Sequence, residues 1–240
     1  MFYLLLIIKV QMFQGINNFV NSFATPKVQD FYSKGWLTPE QFVEAGDQLT
    51  MTGWQWKKAQ VKKGVDPPHP EKMYLIANAT SQTRIKEFLS FDFQNNQGQD
   101  GFLCVDMSKK QQQALNEQET RVYTISITYD RKYHCPRLWL QGVALNSGLP
   151  LKHQEIYEDI MSVYQNETVT VEEHPYLHYQ QVTIHPCNHS TTMKAFLDKA
   201  KQNGAEIKPM QALFIFLKFM QSVMPTVVYD TTIDICLGVD

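Results

Sequence analysis

The residues best suited to chemistry lie together in one short segment, His185-Pro186-Cys187-Asn188-His189. Cys187 has a histidine two positions away on either side, and either imidazole could carry positive charge or move a proton beside the thiol. Ser190 and Thr191 are residue types that cap helices, so the segment is predicted to precede a helix N-terminus, where unpaired N–H groups favour a thiolate. Because Pro186 also fixes the backbone before the thiol, the segment predicts a reactive cysteine.

Residue types and spacing alone leave several interpretations of Cys187 open. It could be a buried structural thiol, as most cysteines near a histidine are. It could be the nucleophile of a cysteine hydrolase that works with a distant histidine and an Asn or Asp. A metal site made of His185, Cys187 and His189 is disfavoured, because three ligands on alternate residues have no fourth partner nearby in the sequence. We therefore predict no metal.

Cysteine usage and composition restrict the class of protein. Cys104, Cys135, Cys187 and Cys236 are widely spaced and lack C-x-x-C pairs, which predicts reduced thiols in the cytoplasm. Hydrophobic residues make up 43% and charged residues 19% of the chain, as in a globular protein. The formal net charge of -2 provides no basic field for nucleic acid. The apolar run at residues 2–8 is too short to span a bilayer, which takes about 20 residues.

Hydrophobic periodicity predicts strands in the middle of the chain and helices towards its ends. The strand-like segments alternate in polarity or are short and apolar: residues 72–77, 121–129, 138–144 and 168–172. The helical segments have apolar residues at three- and four-residue steps: residues 38–50, 155–163, 190–204 and 209–224. Thr38 and Gln41 have the spacing of a capping box. Hairpin connections between the strands imply an antiparallel sheet with segregated helices, an α+β fold.

Residues 12–23 are predicted to form an amphipathic helix. Its apolar face consists of Met12, Phe13, Ile16, Phe19, Val20 and Phe23. This face could pack on the protein core, or it could lie in a lipid interface, where bulky Phe opposite an uncharged Asn/Gln face suits loosely packed lipid. Residues 1–11 either extend this helix or precede a true start at Met12.

Residues 80–120 differ in composition from the rest of the chain. Gln, Asn, Ser and Lys dominate, and apolar residues occur only in short islands at 88–93 and 102–107. A segment of this kind buries little apolar surface, which predicts a flexible insertion.

Seven short segments, taken in order, resemble the autophagy-related protein 3 family. They are residues 37–47 (LTPEQFVEAGD), 54–56 (WQW), 127–130 (ITYD), 136–140 (PRLWL), 157–160 (YEDI), 185–187 (HPC) and 216–219 (FLKF). Each is weak alone, but the ordered set is specific. The resemblance implies a ubiquitin-conjugating-enzyme-like fold. Residues 1–24 would be an N-terminal extension and membrane-sensing helix, and residues 25–240 the catalytic domain, with a flexible insertion at about 80–120.

The resemblance also implies an activity. Cys187 would accept an autophagy ubiquitin-like modifier from an activating enzyme as a thioester and pass it to the amine of phosphatidylethanolamine. Thr168 matches the threonine that stabilises the oxyanion in the family, although Thr170 is of the same type. His185 and His189 remain candidates for proton transfer or thiolate support. No cofactor is needed. A membrane containing phosphatidylethanolamine and a ligase-like conjugate complex are further implied partners, with the enzyme cytoplasmic and peripheral on membranes.

The chain departs from the family pattern at two places. Asn188 stands where a basic residue usually follows the active cysteine, and the insertion is short and has no acidic tract. Within it, Phe102-Leu103-Cys104-Val105 has the aromatic-x-x-aliphatic form of a modifier-binding motif, with Phe102 and Val105 as the contact residues. Two alternatives stay open: a non-enzymatic adaptor that binds modifier and membrane, and the sister conjugating enzyme that acts on a protein lysine.

Overall fold

The computed structural model describes residues 25–62, 64–82, 84–85, 120–165 and 168–229. The predicted membrane face on residues 12–23 lies outside these ranges, as do Phe102, Val105 and most of the predicted insertion. Within the ranges, no helix has both the length and the apolar content to cross a bilayer.

Two helices precede the first strand, two short helices lie between the fourth and fifth strands, and two longer helices come before the last short strand. The helices are α1 (Asp30–Lys34), α2 (Pro39–Leu49), α3 (His153–Tyr157), α4 (Ser162–Gln165), α5 (His189–Gln202) and α6 (Ala212–Val223). The strands are β1 (Gln55–Lys57), β2 (Tyr74–Ser81), β3 (Arg121–Asp130), β4 (Cys135–Ala144), β5 (Val169–Glu173), β6 (Gln180–Ile184) and β7 (Val227–Val228). Short 3-10 turns lie at Thr50–Thr52, Pro186–Asn188 and Pro209–Gln211.

The strands form one open sheet in the order β1-β2-β3-β4-β6-β5, with β7 added beside β2. All described pairings are antiparallel, which confirms the α+β class. The predicted hairpin is β3–β4, paired from Arg121 with Ala144 to Asp130 with Cys135. β6 was not predicted. It lies between β4 and β5, and Gln181 to Ile184 are all buried, so it lacks the alternation by which a half-buried strand is identified.

The sheet is covered on both faces. On one face, Leu75 and Ile125 join the main hydrophobic core with side chains from α2, α5 and α6, among them the fully buried Leu217. Because side chains alternate along a strand, Tyr74 points the other way, and it forms a smaller cluster with Met73 and Tyr176. Burial on both faces fixes the positions of the central strands that lead to the cysteine segment.

The start of α2 agrees with the prediction from the sequence, whereas the start of α5 differs from it. The capping box of α2 is confirmed: Gln41 N–H donates to Thr38 Oγ1 at 3.2 Å, and Thr38 N–H donates to Gln41 Oε1 at 2.9 Å. The helix after the cysteine begins at His189, not at Ser190 or Thr191, which corrects the prediction. No side chain caps it, because the 3-10 turn before it leads directly into the helix.

The predicted helix over residues 155–163 and the predicted insertion both have different boundaries in the structure. The helix is two short helices, α3 and α4, separated at Asp159, whose side chain is 1% exposed. β2 continues to Ser81, and Ile85 and Thr120 are buried, so the margins of residues 80–120 belong to the folded domain. The sequence alone assigns these margins to the insertion, because the burial of short polar segments depends on partners that are distant in the chain.

Candidate active site

Cys187 lies in the 3-10 turn Pro186–Asn188, which joins β6 to the 14-residue helix α5. β6 pairs with β4 on one side and with β5 on the other, so the turn starts from a supported strand. Cys187 is partly exposed, whereas Cys135, the other cysteine in the described ranges, is buried. A partly exposed thiol at a helix N-terminus is placed where backbone N–H groups favour the thiolate.

His185 organises the backbone of Cys187. Its Nδ1 accepts a hydrogen bond from the Cys187 N–H at 3.3 Å. Only an unprotonated ring nitrogen can accept, so the imidazole is neutral and has its proton on Nε2. Burial lowers the pKa of His185, and the positive charge of Arg137 lowers it further. The neutral form therefore prevails at neutral pH, and His185 acts on Cys187 through this hydrogen bond.

His189 points into the core. It is 4% exposed, and its Nδ1 lies 2.9 Å from the Pro136 carbonyl oxygen, to which it donates. The rings of Phe216 and Phe219 contact it edge-on at centroid distances of 5.3 and 5.8 Å. Burial lowers the pKa of His189 to about 4. This neutral imidazole ties the start of α5 to β4 and α6.

Thr168 lies beside the cysteine segment. The Thr168 carbonyl accepts the His185 N–H at 2.6 Å, directly before β5 begins. Its hydroxyl is buried and donates to the Tyr164 carbonyl at 3.0 Å. Thr170 lies further along β5 and donates its hydroxyl to Glu172 at 2.7 Å. Of the two threonines, Thr168 is the one bonded to the His-Pro-Cys segment.

The β3–β4 turn supplies a side chain that the sequence did not single out. The ring of Tyr133 meets His185 edge-on, with 5.2 Å between centroids. Asp130 holds the turn, because its Oδ1 accepts the N–H groups of Lys132 at 2.9 Å and Tyr133 at 3.1 Å. An aspartate at a strand end is a turn signal, but sequence could not show which strand this turn would face.

Arg137 on β4 is a second group that the sequence missed. It is 8% exposed, and one guanidinium nitrogen lies 2.6 Å from Glu172 on β5. Its Nε donates to Thr183 Oγ1 on β6 at 3.0 Å, and its guanidinium lies 4.6 Å from the centroid of the Trp139 ring. The sequence feature that could have identified Arg137 is a single arginine within an apolar strand, since a buried charge needs a partner.

Cys135 is unsuited to act as a nucleophile because it is buried, whereas Cys187 is partly exposed. Cys135 is 1% exposed, and its Sγ lies 3.8 Å from the Pro186 carbonyl oxygen. Burial raises the pKa of this thiol well above its ordinary value. No group of His, Cys, Asp and Glu within the described part of the chain is arranged to hold a metal ion. The arrangement suits thiol chemistry at Cys187.

Comparison with known proteins finds similarity to one family over most of the chain. A family model described as "Autophagocytosis associated protein, active-site domain" matches residues 41–231. Autophagy-related protein 3 of Dictyostelium discoideum is 47% identical over 115 residues, which cover 48% of this chain and 34% of that protein. The Arabidopsis thaliana protein of that name is 43% identical over 119 residues, covering 50% of this chain and 38% of the relative.

A third relative aligns over most of its length. Autophagy-related protein 3 of Meyerozyma guilliermondii is 28% identical over 272 aligned positions, covering 85% of this chain and 92% of that protein. The resemblance to autophagy-related protein 3 is thereby confirmed. Because the family model covers most of the sequence, this chain belongs to the autophagocytosis-associated protein family and contains its active-site domain.

Proposed function

We propose that this protein is a conjugating enzyme for an autophagy ubiquitin-like modifier. It takes the modifier from an activating enzyme as a thioester on Cys187 and transfers it to the amine of phosphatidylethanolamine. The observation that carries the proposal is the partly exposed Cys187 at the N-terminus of α5, within a family active-site domain. The relatives named autophagy-related protein 3 support the choice of pathway.

The first step is a thioester exchange. The Cys187 thiolate attacks the carbonyl carbon of the modifier's thioester on the activating enzyme. A new C–S bond to Cys187 forms, the old C–S bond breaks, and the activating enzyme's sulfur leaves as a thiolate. No atom changes oxidation state, so the step needs no redox cofactor. The N–H groups at the start of α5 favour the attacking thiolate.

The second step is aminolysis. The lipid amine attacks the thioester carbonyl, a C–N bond forms, the C–S bond to Cys187 breaks and the amine loses a proton. The intermediate carries an oxyanion, for which we propose the Thr168 hydroxyl as a donor. A hydroxyl has one proton, and that of Thr168 is donated to Tyr164. Thr168 must therefore rotate away from Tyr164 to act.

Removal of the proton from the amine also requires that an existing hydrogen bond break first. A neutral His185 has one basic nitrogen, Nδ1, and the Cys187 N–H occupies it. His185 can take the amine proton only when this bond opens. His189 is buried against Phe216 and Phe219, so we assign it to support of the helix start and not to proton transfer.

The lipid acceptor requires contact with a membrane. We propose that the apolar face of residues 12–23 provides it, with the protein cytoplasmic and peripheral on membranes. Bulky apolar side chains opposite Asn and Gln suit a loosely packed bilayer surface. Within residues 80–120, Phe102 and Val105 are proposed to contact the modifier.

A non-reducing gel tests the covalent step. The protein is mixed with modifier, activating enzyme and ATP, beside Cys187→Ser and the matched variant Cys135→Ser. We expect a thiol-sensitive adduct with the wild type and Cys135→Ser, and a thiol-resistant ester or no adduct with Cys187→Ser. If the activating enzyme is charged but the wild type forms no adduct, the protein is an adaptor and the proposal is wrong.

The acceptor is tested separately. The charged enzyme is mixed with vesicles that contain phosphatidylethanolamine, with vesicles of phosphatidylcholine alone, or with a protein carrying accessible lysines. We expect loss of the thioester and a lipidated modifier only with phosphatidylethanolamine. Transfer to protein lysine in preference to lipid would favour the sister conjugating enzyme.

A further inference from the structure

Arg137 occupies the point at which the strands around the cysteine segment meet. We propose that Arg137 is a positioning residue of this active site, which braces β5, β6 and the β3–β4 turn so that His185 can hold Cys187. The inference rests on the proposed function, because it assigns a role in the same reaction. Arg137 does not touch the reacting atoms.

The contacts of Arg137 reach three neighbouring parts of the sheet. Towards β6, its Nε donates to Thr183 Oγ1 at 3.0 Å, and the Thr183 hydroxyl donates in turn to the Leu138 carbonyl at 2.7 Å. Towards β5, it pairs with Glu172 at 2.6 Å. Towards the end of β3, it lies 3.5 Å from Asp130 Oδ2. A planar guanidinium can make these contacts at once, and a lysine ammonium cannot.

Two of these contacts, those with Thr183 and Asp130, lead to the cysteine segment. Thr183 lies on β6, two positions before His185, which follows the end of that strand. Asp130 holds Tyr133 through its N–H, and the Tyr133 ring lies edge-on against His185. Fixing Thr183 and Asp130 therefore fixes His185 from two sides.

The same charges act together with burial on the protonation state of His185. Besides Tyr133, Cys187 and His189, the charged groups that face it are Arg137 and Lys132, which lower its pKa, and Glu172 and Asp130, which raise it. Burial is the largest effect and lowers the pKa. An imidazolium could not accept the Cys187 N–H, so the cation of Arg137 helps preserve the bond that its contacts position.

The test uses variants that break the same ion pair with opposite electrostatic effects. Arg137→Gln removes the positive charge, Glu172→Gln removes the negative charge, and Arg137→Lys keeps the charge without the planar contacts. Arg131→Gln is the matched control, because Arg131 is an exposed arginine of the neighbouring turn that bonds the carbonyls of Asp66 and Pro67. The readouts are the His185 pKa from NMR titration and single-turnover transfer from the Cys187 thioester to phosphatidylethanolamine vesicles.

We expect the His185 pKa to rise in Arg137→Gln, to fall in Glu172→Gln and to stay near the wild-type value in Arg137→Lys and Arg131→Gln. Transfer should slow by about tenfold or more in both Arg137 variants, because small displacements at a reacting centre are costly. It should be unchanged in Arg131→Gln. If Arg137→Gln fails to fold, Arg137→Lys and Glu172→Gln carry the test, since Glu172 is 40% exposed.

Two results would overturn the inference. The first is a wild-type rate of transfer in every Arg137 variant that folds. The second is a shift of the His185 pKa in the same direction in Arg137→Gln and Glu172→Gln. Failure of the proposed function looks different. In that case the wild type forms no thioester on Cys187, while the opposite pKa shifts of His185, measured on the protein alone, persist.

Discussion

His185 and His189 flank the same cysteine at the same spacing, yet their surroundings give them different roles. His185 is half-buried, and its Nδ1 faces the Cys187 N–H. His189 is buried among aromatic rings and bonds the Pro136 carbonyl. The difference arises because His185 lies between the end of β6 and the 3-10 turn, whereas His189 is the first residue of α5 and faces α6.

Burial of neutral His189 makes stability depend on pH. Its pKa is about 4 in the folded protein against an ordinary value of 6.5. Between pH 6.5 and about 4, His189 is therefore protonated in the unfolded chain but stays neutral in the folded protein. The stabilisation from this group is fully present above pH 6.5 and is lost as the pH falls to about 4. His174, with a pKa lowered by burial to about 3, acts in the same direction.

We predict that His189→Gln flattens the fall in the free energy of unfolding between pH 6.5 and 4, measured by urea denaturation. Phe216→Leu is the matched control: it loosens the same packing without removing a titrating group, and it should lower stability by about 1 kcal/mol at every pH. An unchanged pH slope in His189→Gln would show that another group controls acid sensitivity.

At the scale of elements, the junction of β6 and α5 determines where the thiol stands. A central strand, a 3-10 turn containing proline and a helix follow one another without a loop. The turn can adopt few conformations, because Pro186 restricts the backbone and His185 accepts the Cys187 N–H. An enzyme that works at a surface also needs an element that reaches that surface, and the amphipathic segment at residues 12–23 is the proposed one.

We predict that Phe19→Asp separates the two steps of the reaction. A carboxylate in the apolar face should weaken binding to the bilayer and reduce lipid conjugation by about tenfold or more, because burying a charge in lipid is costly. Thioester formation on Cys187 should be unchanged. Asn18→Asp, on the polar face, is the control and should leave both steps near wild type. Equal loss of both steps in Phe19→Asp would refute this division of labour.

At the scale of the whole molecule, Asp159 joins segments that are far apart in the chain. Its carboxylate accepts hydrogen bonds from Ser81 at 2.9 Å and Thr226 at 3.1 Å, and from the hydroxyl of Tyr123. Arg84 and Arg121 pair with it at 2.6 and 3.0 Å. These two arginines are far apart in the sequence, and Asp159 brings their positions together beside the sheet.

We predict that Asp159→Ala destabilises the protein by about 3–5 kcal/mol, because it leaves Arg84 and Arg121 without their buried carboxylate. Glu158→Gln is the control. Glu158 pairs with Arg121 but is 52% exposed, and its loss should cost less than about 1 kcal/mol. Chemical denaturation of both variants measures the difference, and similar small losses would contradict the central role of Asp159.

The sequence by itself determined the features that depend on neighbouring residues. Alternation along β3, the capping box at Thr38 and Gln41, and the apolar stripe of α6 are local patterns, and each predicted an element that the structure contains. The proposal of a site at the His-Pro-Cys segment also rests on local patterns, since residue types, a helix start and an ordered set of family segments all lie along the chain.

Only the tertiary structure decided what depends on distant residues. β6 was not predicted from the sequence, because a strand buried on both faces does not alternate between polar and apolar residues. The contacts of Arg137, Tyr133 and Thr168 depend on the pairing of strands, some of which are tens of residues apart in the chain. The state of each histidine was decided by burial and by the charges that folding brings near it, because a pKa depends on the surrounding solvent and charge, and spacing along the chain specifies neither.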